Sequence, residues 1–260
     1  MKISVLTENC AGSVFLAEHG LSYLIEHEGE RILFDAGHTD VFIKNAKKLG
    51  VDIQKDIDTV VLSHGHWDHG DGLQYIDNKT LITHPGSFIK RFRKKDNSSL
   101  GLKLSKSDIQ QKFKLVLTDK PYYISDNIIF LGQIPRLTDF EAKSTNFIDE
   151  LGEPDFILDD SAIVVIQNKE LIIITACSHS GICNIIEYAM NVTGINFVKA
   201  VIGGFHLKEN NLQTKQTIDF LKNKGIHKIY PSHCTELPAL VAFYEEFHTE
   251  QLKTGMVLNF

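Results

Sequence analysis

Cysteine is scarce in this chain of 260 residues, and its few positions form no close pair. The four cysteines are Cys10, Cys177, Cys183 and Cys234. A zinc ribbon or a redox dithiol uses cysteines in a CxxC motif, so the sequence argues against both kinds of site.

Long apolar segments and an excess of positive charge are also missing. No apolar run approaches the roughly 18 residues of a membrane span. Residues Met1–Leu6 enter a strand pattern directly, without the basic, apolar and small-residue sections of a signal peptide. Lysine and arginine total 27 against 33 acidic residues, and the net charge of −6 argues against broad nucleic-acid binding. We therefore expect a cytoplasmic protein without a membrane or nucleic-acid partner.

Hydrophobic residues make up 43% of the sequence, enough to bury the core of a single α/β domain over residues 1–260. Strands are predicted at 2–7, 22–27, 31–34, 59–63, 80–83, 112–118, 121–131, 161–167, 171–175, 197–203, 226–230 and 254–259, and helices at 39–49, 181–193, 212–224 and 237–248. The polar stretch at about 86–111 is predicted to be a surface excursion, helical in part, that could act as a lid. This order of elements is compatible with several α/β layouts.

Four metal-binding side chains fall within one short segment, His64-Gly65-His66-Trp67-Asp68-His69, which we call the histidine loop. Residues 59–63 before it are β-branched and apolar and predict a buried strand, so the loop leaves a strand end. Open α/β sheets place their ligand sites at such ends. Imidazole and carboxylate are ligands that zinc and similar divalent metals prefer. Solvated turn histidines are the alternative, but four ligand-type side chains rarely cluster in this way by chance.

The histidine loop resembles the HxHxDH signature of the metallo-β-lactamase fold superfamily. The matching residues are His64, His66, Asp68 and His69. An early strand with an Asp-x-Gly turn, residues 31–37, and a late strand that runs into a histidine, residues 228–233, are similar to that superfamily as well. The resemblance implies an αββα sandwich of two mixed β-sheets flanked by helices.

Five further segments resemble one branch of that superfamily. They are Leu6-Thr7-Glu8-Asn9, Glu18-His19-Gly20-Leu21-Ser22, Ala176-Cys177-Ser178-His179-Ser180-Gly181, Gly203-Gly204-Phe205-His206 and Pro231-Ser232-His233-Cys234-Thr235. The branch includes archaeal dihydropterin–aminobenzene ribofuranosyl phosphate synthases and bacterial relatives called metal-dependent hydrolases. The resemblance spans nearly the whole chain, and it implies the fold and a metal site more strongly than a substrate.

The resemblance implies two divalent metal ions, expected to be zinc, with manganese, iron or magnesium as alternatives. Such ions can share a bridging water and lower its pKa towards ~7, which gives hydroxide at neutral pH. The expected ligands are His64, His66 and His179 for one ion, and Asp68, His69 and His233 for the other. His179 and His233 each follow a predicted strand, as the histidine loop does. A capping or core histidine is the alternative for both.

The sequence departs from the common superfamily pattern after the strand 171–175. Many members carry a bridging aspartate there, in a Gly-Asp pair, and this chain has Ala176-Cys177 instead. Cys177 is a candidate thiolate ligand, because sulfur suits zinc, and a small buried thiol is the alternative. We expect it to form no disulfide. Asp159 and Asp160 are other possible carboxylate donors, or polar residues at the start of a strand.

Asp68 and His206 are the candidate catalytic residues. His206 follows the strand 197–203, and the two glycines before it would let the backbone approach a ligand closely. It could hold a substrate phosphate or donate a proton. Asp35 is expected to hydrogen-bond a metal histidine, or to fix its own turn. The other histidines are expected at surface or turn positions: His19, His27, His38, His84, His227 and His248.

The basic run from Lys90 to Lys95 is either a solvated loop face or a lid that draws an anionic substrate towards the metals. The leading functional prediction is a metal-dependent hydrolase that uses metal-bound hydroxide on a small anionic substrate, phosphorylated or pterin-like. One alternative is a dihydropterin-condensing synthase that releases diphosphate. The other is a ligand-sensing module that keeps its metals but has little turnover.

Overall fold

The computed structural model describes residues 1–260. The strands are β1 (Lys2–Thr7), β2 (Ser22–His27), β3 (Glu30–Phe34), β4 (Thr59–Val61), β5 (Lys79–Thr83), β6 (Arg91–Arg93), β7 (Phe113–Leu117), β8 (Tyr122–Ser125), β9 (Ile128–Phe130), β10 (Phe147–Asp149), β11 (Ala162–Gln167), β12 (Glu170–Thr175), β13 (Val198–Gly204), β14 (Ile229–Ser232) and β15 (Val257–Asn259). The helices are α1 (Val41–Lys48), α2 (Ile53–Asp56), α3 (Trp67–Gly70), α4 (Lys106–Lys112), α5 (Ile182–Thr193), α6 (Leu212–Asn223) and α7 (Leu237–Phe247), with 3₁₀ turns at Asp71–Tyr75 and Pro85–Phe88.

The chain divides into two compact units. The first unit comprises Met1–Thr118, Asn146–Asp155 and Leu252–Phe260, and the second comprises Asp119–Thr145 and Phe156–Gln251. The predicted assignment of a single domain to residues 1–260 stays a prediction.

The first unit contains a seven-stranded mixed sheet in the order β15-β1-β2-β3-β4-β5-β7. Its strands pair antiparallel from β15 to β3 and parallel from β3 to β7. The register pairs Phe34 with Val61 and Val61 with Ile82, so β3, β4 and β5 end level with one another. The segments that leave these three strands therefore start from one edge of the sheet, where parallel sheets bind ligands.

Helix α1 covers part of this sheet because its apolar side chains fall on one face. Phe42 and Ala46, four residues apart, are fully buried, and they belong to a core that includes Leu24, Leu33 and Val60 from the strands. The lysines of the last helical turn complement the helix dipole.

The second unit contains a six-stranded mixed sheet in the order β14-β13-β12-β11-β9-β8. β11 and β12 form the predicted central hairpin, and β12, β13 and β14 pair parallel. The register pairs Ile174 with Ile202 and Ile202 with Tyr230, so these parallel strands also end close to one level. In both units, therefore, polar side chains lie at the carboxyl ends of neighbouring parallel strands.

Helix α5 packs on this second sheet, and a side chain from outside the helix caps it. Ile182, Ile185 and Ile186 are buried against the sheet. The Glu141 carboxylate accepts hydrogen bonds from the backbone N–H groups of Cys183 (3.0 Å) and Asn184 (2.8 Å). These are donors that a helix N-terminus leaves unsatisfied, so Glu141 replaces the usual local cap.

The predicted fold class is confirmed, because both large sheets are mixed and helices pack against them in the expected chain order. The polar stretch at 86–111 contains the short strand β6, and residues 147–149 form the short strand β10, and neither strand is among those predicted. These strands pair with each other antiparallel in a separate two-stranded sheet. The predicted strand at 121–131 is a hairpin of β8 and β9. No helix is long and apolar enough to cross a membrane.

Candidate metal centre

The histidine loop of the first unit follows β4 and runs into helix α3, and all four of its donor side chains are buried. His64 Nε2 lies 3.0 Å from His66 Nδ1. Asp68 Oδ2 lies 3.7 Å from His69 Nε2, and the rings of His64 and His69 are 4.3 Å apart. The loop thus brings its four predicted donors together.

Close packing of the backbone fixes the loop. The Leu62 N–H donates to the Ile82 carbonyl, which extends the β4–β5 pairing by one residue. A methyl group at Gly65 would overlap the carbonyl oxygen of Ser87, so a side chain is excluded there. The His66 carbonyl accepts from the N–H groups of His69 and Gly70 and starts the short helix that carries Asp68 and His69.

Asp35 holds His69 directly and His64 through Ser63 by hydrogen bonds. It follows β3, is fully buried and has φ +57°, a conformation that aspartate tolerates better than most residues. Its carboxylate accepts from the Ser63 N–H (2.7 Å), the Ser63 hydroxyl (2.7 Å) and His69 Nδ1 (2.7 Å). The predicted hydrogen bond between Asp35 and a histidine of the loop is therefore present, with His69 as the donor.

This hydrogen-bond chain sets the proton positions on two imidazoles. An ionised carboxylate only accepts, so the Ser63 hydroxyl donates to Asp35 and His64 Nδ1–H donates to the Ser63 oxygen (2.8 Å). His69 likewise carries its proton on Nδ1. Both rings therefore present the lone pair of Nε2, the arrangement that metal-ligating histidines adopt when a second group holds the other nitrogen.

Burial shifts the pKa values of these groups. It lowers the pKa of His64 well below its usual value, and the neighbouring His69 and His66 lower it further, so His64 is neutral at physiological pH. Burial also raises the pKa of Asp35, and its contacts with His69 and Ser63 oppose that rise. A neutral imidazole is the form that binds a metal.

The donor set of the loop fits a divalent ion. Two nitrogen ligands at about 2.1 Å from a tetrahedral ion lie about 3.4 Å apart, close to the 3.0 Å between His64 Nε2 and His66 Nδ1. Imidazole nitrogens with one carboxylate oxygen are also the mixed ligands that zinc and its neighbours accept.

In the second unit, the candidate residues follow the ends of the three parallel strands. Cys177 and His179 follow β12, His206 follows β13, and His233 follows β14. The rings of His179 and His206 are 4.4 Å apart. Cys177 is buried and forms no disulfide, as predicted, and its carbonyl accepts from the Cys234 thiol (3.4 Å).

Several of these positions have strained backbones. Ser178 (φ +59°), His206 (φ +51°) and His233 (φ +52°) adopt the left-handed conformation that side chains disfavour. Such strain costs on the order of 1–3 kcal/mol per residue and concentrates at functional sites. Each strained residue lies where the chain turns sharply out of a strand end.

Asp160 holds the turn that carries His179. The Asp160 carboxylate is fully buried and accepts from the Ser180 N–H (2.9 Å) and from the Ser180 hydroxyl. Burial raises its pKa to about 6, against these hydrogen bonds and the positive charge of Arg136. Arg136 itself donates to the carbonyls of Ile134 and Phe156. Asp160 therefore shapes the turn next to His179.

The sequence of this chain is similar to a known protein family. The model of the metallo-beta-lactamase superfamily matches residues 17–90, which contain the histidine loop and Asp35. A 7,8-dihydropterin-6-methyl-4-(β-D-ribofuranosyl)-aminobenzene-5'-phosphate synthase from Methanocaldococcus jannaschii is 35% identical over 285 residues, covering 100% of this chain and 97% of the relative. The chain belongs to the metallo-β-lactamase superfamily.

Two other similar proteins agree with this membership. An uncharacterised protein of Methanocaldococcus jannaschii is 35% identical over 248 residues, 92% of each chain. The solved structure of Tm1679, described as a metal-dependent hydrolase of the beta-lactamase superfamily, is similar with a TM-score of 0.89 at 28% identity, covering 100% of this chain and 99% of that one. The metallo-β-lactamase fold inferred from the sequence is thereby confirmed.

In this metallo-β-lactamase fold protein, His19 is a neighbour of the histidine loop that the sequence does not predict. His19 was expected at a surface or turn position, and its side chain is 59% exposed, yet its Nε2 lies 3.3 Å from Asp68 Oδ2. Its ring packs near Trp67 (5.4 Å). His19 lies in the segment Glu18–Ser22 that resembles the branch, and the Leu21 N–H of this segment donates to the Asp68 carbonyl (3.2 Å), which joins the segment to the histidine loop.

The structure bears on two expectations, one about glycine and one about basic residues. Methyl groups at Gly203 and Gly204 would overlap the carbonyls of Thr175 and Ala176, so these glycines allow the end of β12 to pack closely, and their approach to a ligand stays a prediction. Arg91 belongs to neither a solvated face nor a charged lid surface, because it is fully buried in β6 and pairs with Asp155 (3.2 Å).

The rest of the basic run stays exposed and is partly neutralised. Lys90 lies 3.6 Å from Glu150, and Arg93 lies 3.7 Å from Asp96. Lys94 and Lys95 are exposed. A lid role for residues 86–111 stays a prediction.

Proposed function

We propose that this superfamily member is a metal-dependent hydrolase of a small anionic substrate. The observation that carries the proposal is the hydrogen-bond chain through Asp35 and Ser63, which leaves His64 and His69 with a lone pair on Nε2. Histidines held in this way are typical metal ligands. The similarity to Tm1679, described as a metal-dependent hydrolase, supports the reaction class.

The proposed ligands are those expected from the sequence signature. His64, His66 and His179 would hold one divalent ion, and Asp68, His69 and His233 the other. Cys177 is a further proposed donor, and zinc is the proposed metal. When bound, such ions supply Lewis acidity that stabilises charge on the reacting group.

The chain itself contributes orientation and proton handling. Asp35 and Ser63 hold two imidazoles in their ligand tautomers, so no reorganisation of these rings is needed on binding. Asp68 is the proposed catalytic carboxylate, and the exposed His19 lies with its Nε2 3.3 Å from Asp68 Oδ2. His206, beside His179, is proposed to hold the substrate or to donate a proton to the leaving group.

Hydrolysis of phosphodiester and lactone probes, measured with the metal-loaded full chain, tests the proposal. Asp68→Ala is expected to abolish turnover, and His227→Ala, a change at an exposed histidine, is expected to leave it unchanged. Equal turnover in the Asp68→Ala variant and the parent would contradict the assigned role. Stoichiometric metal without turnover on any probe would favour the ligand-sensing module instead.

A second candidate function is a synthase that condenses a dihydropterin diphosphate with an aminobenzene ribofuranosyl phosphate and releases diphosphate. The observation that favours it is 35% identity to the Methanocaldococcus jannaschii synthase over the full length of this chain. Incubation with both substrates and mass analysis of the product discriminates the two functions. A carbon–carbon coupled pterin supports the synthase, and release of phosphate or alcohol alone supports the hydrolase.

A further inference from the structure

His84 is buried beside the histidine loop and has an unused hydrogen-bond donor. It follows β5, is 7% exposed, and lies at the sheet edge from which the loop also leaves. Its Nε2 is buried and has no hydrogen-bond partner. Buried polar atoms of native proteins are nearly always paired, so an orphan atom indicates a ligand or another specific role.

The proton position on the His84 ring follows from its other nitrogen. The backbone N–H of Gly86 donates to His84 Nδ1 (3.0 Å), so Nδ1 must carry a lone pair. A neutral ring then carries its proton on Nε2. The orphan atom is therefore an N–H donor, and what it lacks is an acceptor oxygen.

The turn that holds His84 is fixed to the histidine loop. The Thr83 hydroxyl bonds to the Leu62 carbonyl (2.9 Å) and to the Ser87 hydroxyl (2.8 Å), and the Ser87 N–H donates to the His84 carbonyl (3.1 Å). The backbone at Gly65 packs directly on Ser87. His84 thus keeps a set position relative to the predicted metal ligands of its own unit.

Nearby positive charge favours an anionic acceptor over a neutral one. The Arg91 guanidinium donates to the Gly86 carbonyl (3.2 Å), two residues from His84. Arg91 is fully buried and pairs with Asp155 (3.2 Å), which holds the guanidinium beside the turn that carries His84. An anionic oxygen beside His84 would gain from the N–H donor and from this nearby cation.

We propose that His84 is a substrate-binding residue whose Nε2–H donates a hydrogen bond to an anionic oxygen of the substrate, beside the histidine loop. The proposal rests on the proposed function only in that the anion belongs to the substrate of that site. Inorganic phosphate is the probe, because it offers several anionic acceptors and needs no turnover.

Two substitutions test the roles of the two His84 nitrogens separately. His84→Asn keeps an acceptor oxygen near the Nδ1 position, for the Gly86 N–H, and removes the distal donor. His84→Gln places an amide N–H near the Nε2 position. His227→Asn, at an exposed histidine, is the matched control.

Calorimetric titration of phosphate into the metal-loaded proteins is expected to show about ten-fold weaker binding for His84→Asn. Partial recovery is expected for His84→Gln and no change for His227→Asn. Metal content and melting temperature should match those of the parent. Nitrogen-15 NMR should show the Nε2–H resonance of His84 shifting on addition of phosphate.

The proposal is overturned by parental phosphate affinity in His84→Asn, by an Nε2–H resonance that phosphate does not move, or by a parent that binds no phosphate. Loss of metal together with phosphate binding would also overturn it, since His84 would then act on the loop alone. A parent that binds phosphate through His84 but hydrolyses no probe would sink the hydrolase proposal and leave this one standing.

Discussion

Asp35→Asn is the sharpest test of how the histidine loop is prepared for metal. The replacement has nearly the same shape, and asparagine tolerates the left-handed φ of +57° at this position. Its amide oxygen can still accept from the Ser63 N–H. Its NH₂ group, however, would face the Ser63 hydroxyl and His69 Nδ1, which both lie 2.7 Å from the same carboxylate oxygen in the parent.

The expected loss of metal affinity follows from the change of tautomer at His69. A donor facing His69 Nδ1 favours the ring form with its proton on Nε2, the nitrogen that a metal would need. Loss of such a supporting carboxylate typically weakens metal binding by about 10- to 100-fold, or about 1.4–2.8 kcal/mol. The unfolding free energy of the metal-free protein should change by less than about 2 kcal/mol, because lost hydrogen bonds are offset by removal of a buried charge.

Metal affinity is measured by competition with a chromophoric chelator, and the His69 tautomer by nitrogen-15 shifts of its ring. Asp126→Asn, at an exposed aspartate, is the control and should bind metal like the parent. Metal affinity of Asp35→Asn within two-fold of the parent, with the fold intact, would refute the reasoning that Asp35 sets the ligand tautomers.

Three other changes give separate expectations. Arg91→Met leaves Asp155 buried without its partner and should lower the unfolding free energy by about 3 kcal/mol. The control, Lys94→Met, should change the unfolding free energy by less than about 0.5 kcal/mol. Equal chemical denaturation midpoints of the two variants would contradict the burial of the Arg91–Asp155 pair. The Asp160 pKa rises on folding from 3.8 to about 6, so the folded state holds a proton that the unfolded state loses, and stability should fall by about 3 kcal/mol as pH rises from about 4 to 6 in metal-free protein. Asp160→Asn should flatten the dependence of the unfolding free energy on pH, measured by chemical denaturation at several pH values. An unchanged dependence would mean that other groups cause it. Glu141→Ala should cost about 2 kcal/mol by uncapping α5, seen as a lower melting temperature, and an unchanged melting temperature would count against the cap.

The strands and helices that carry the site were predictable because local patterns specify them. The hairpin of β11 and β12 shows as two apolar runs around Asn168 and Lys169, and both turn residues adopt positive φ. The histidine loop was predictable because its ligand-type residues are contiguous. In both cases, the decisive interactions are close together in sequence.

The contacts that were not predictable join residues far apart in sequence. β6 and β10 are three residues each, too short for a periodic pattern, and each becomes a strand only through the other. The burial of Arg91 depends on Asp155 in the same way. The contact between His19 and Asp68 also joins residues far apart in sequence, and no pattern within the segment Glu18–Ser22 places His19 beside Asp68.

The pairing of β1 with β15 has a consequence for how the chain folds during synthesis. β15 follows every other strand of the first sheet in chain order, so until it is synthesised β1 presents an open edge on the β15 side. Open edges can pair with other chains and promote aggregation. All strands of the second sheet are already synthesised by that stage, whereas the first sheet waits for residues 257–259. The sheet that carries the histidine loop is therefore the later of the two to be completed on the ribosome.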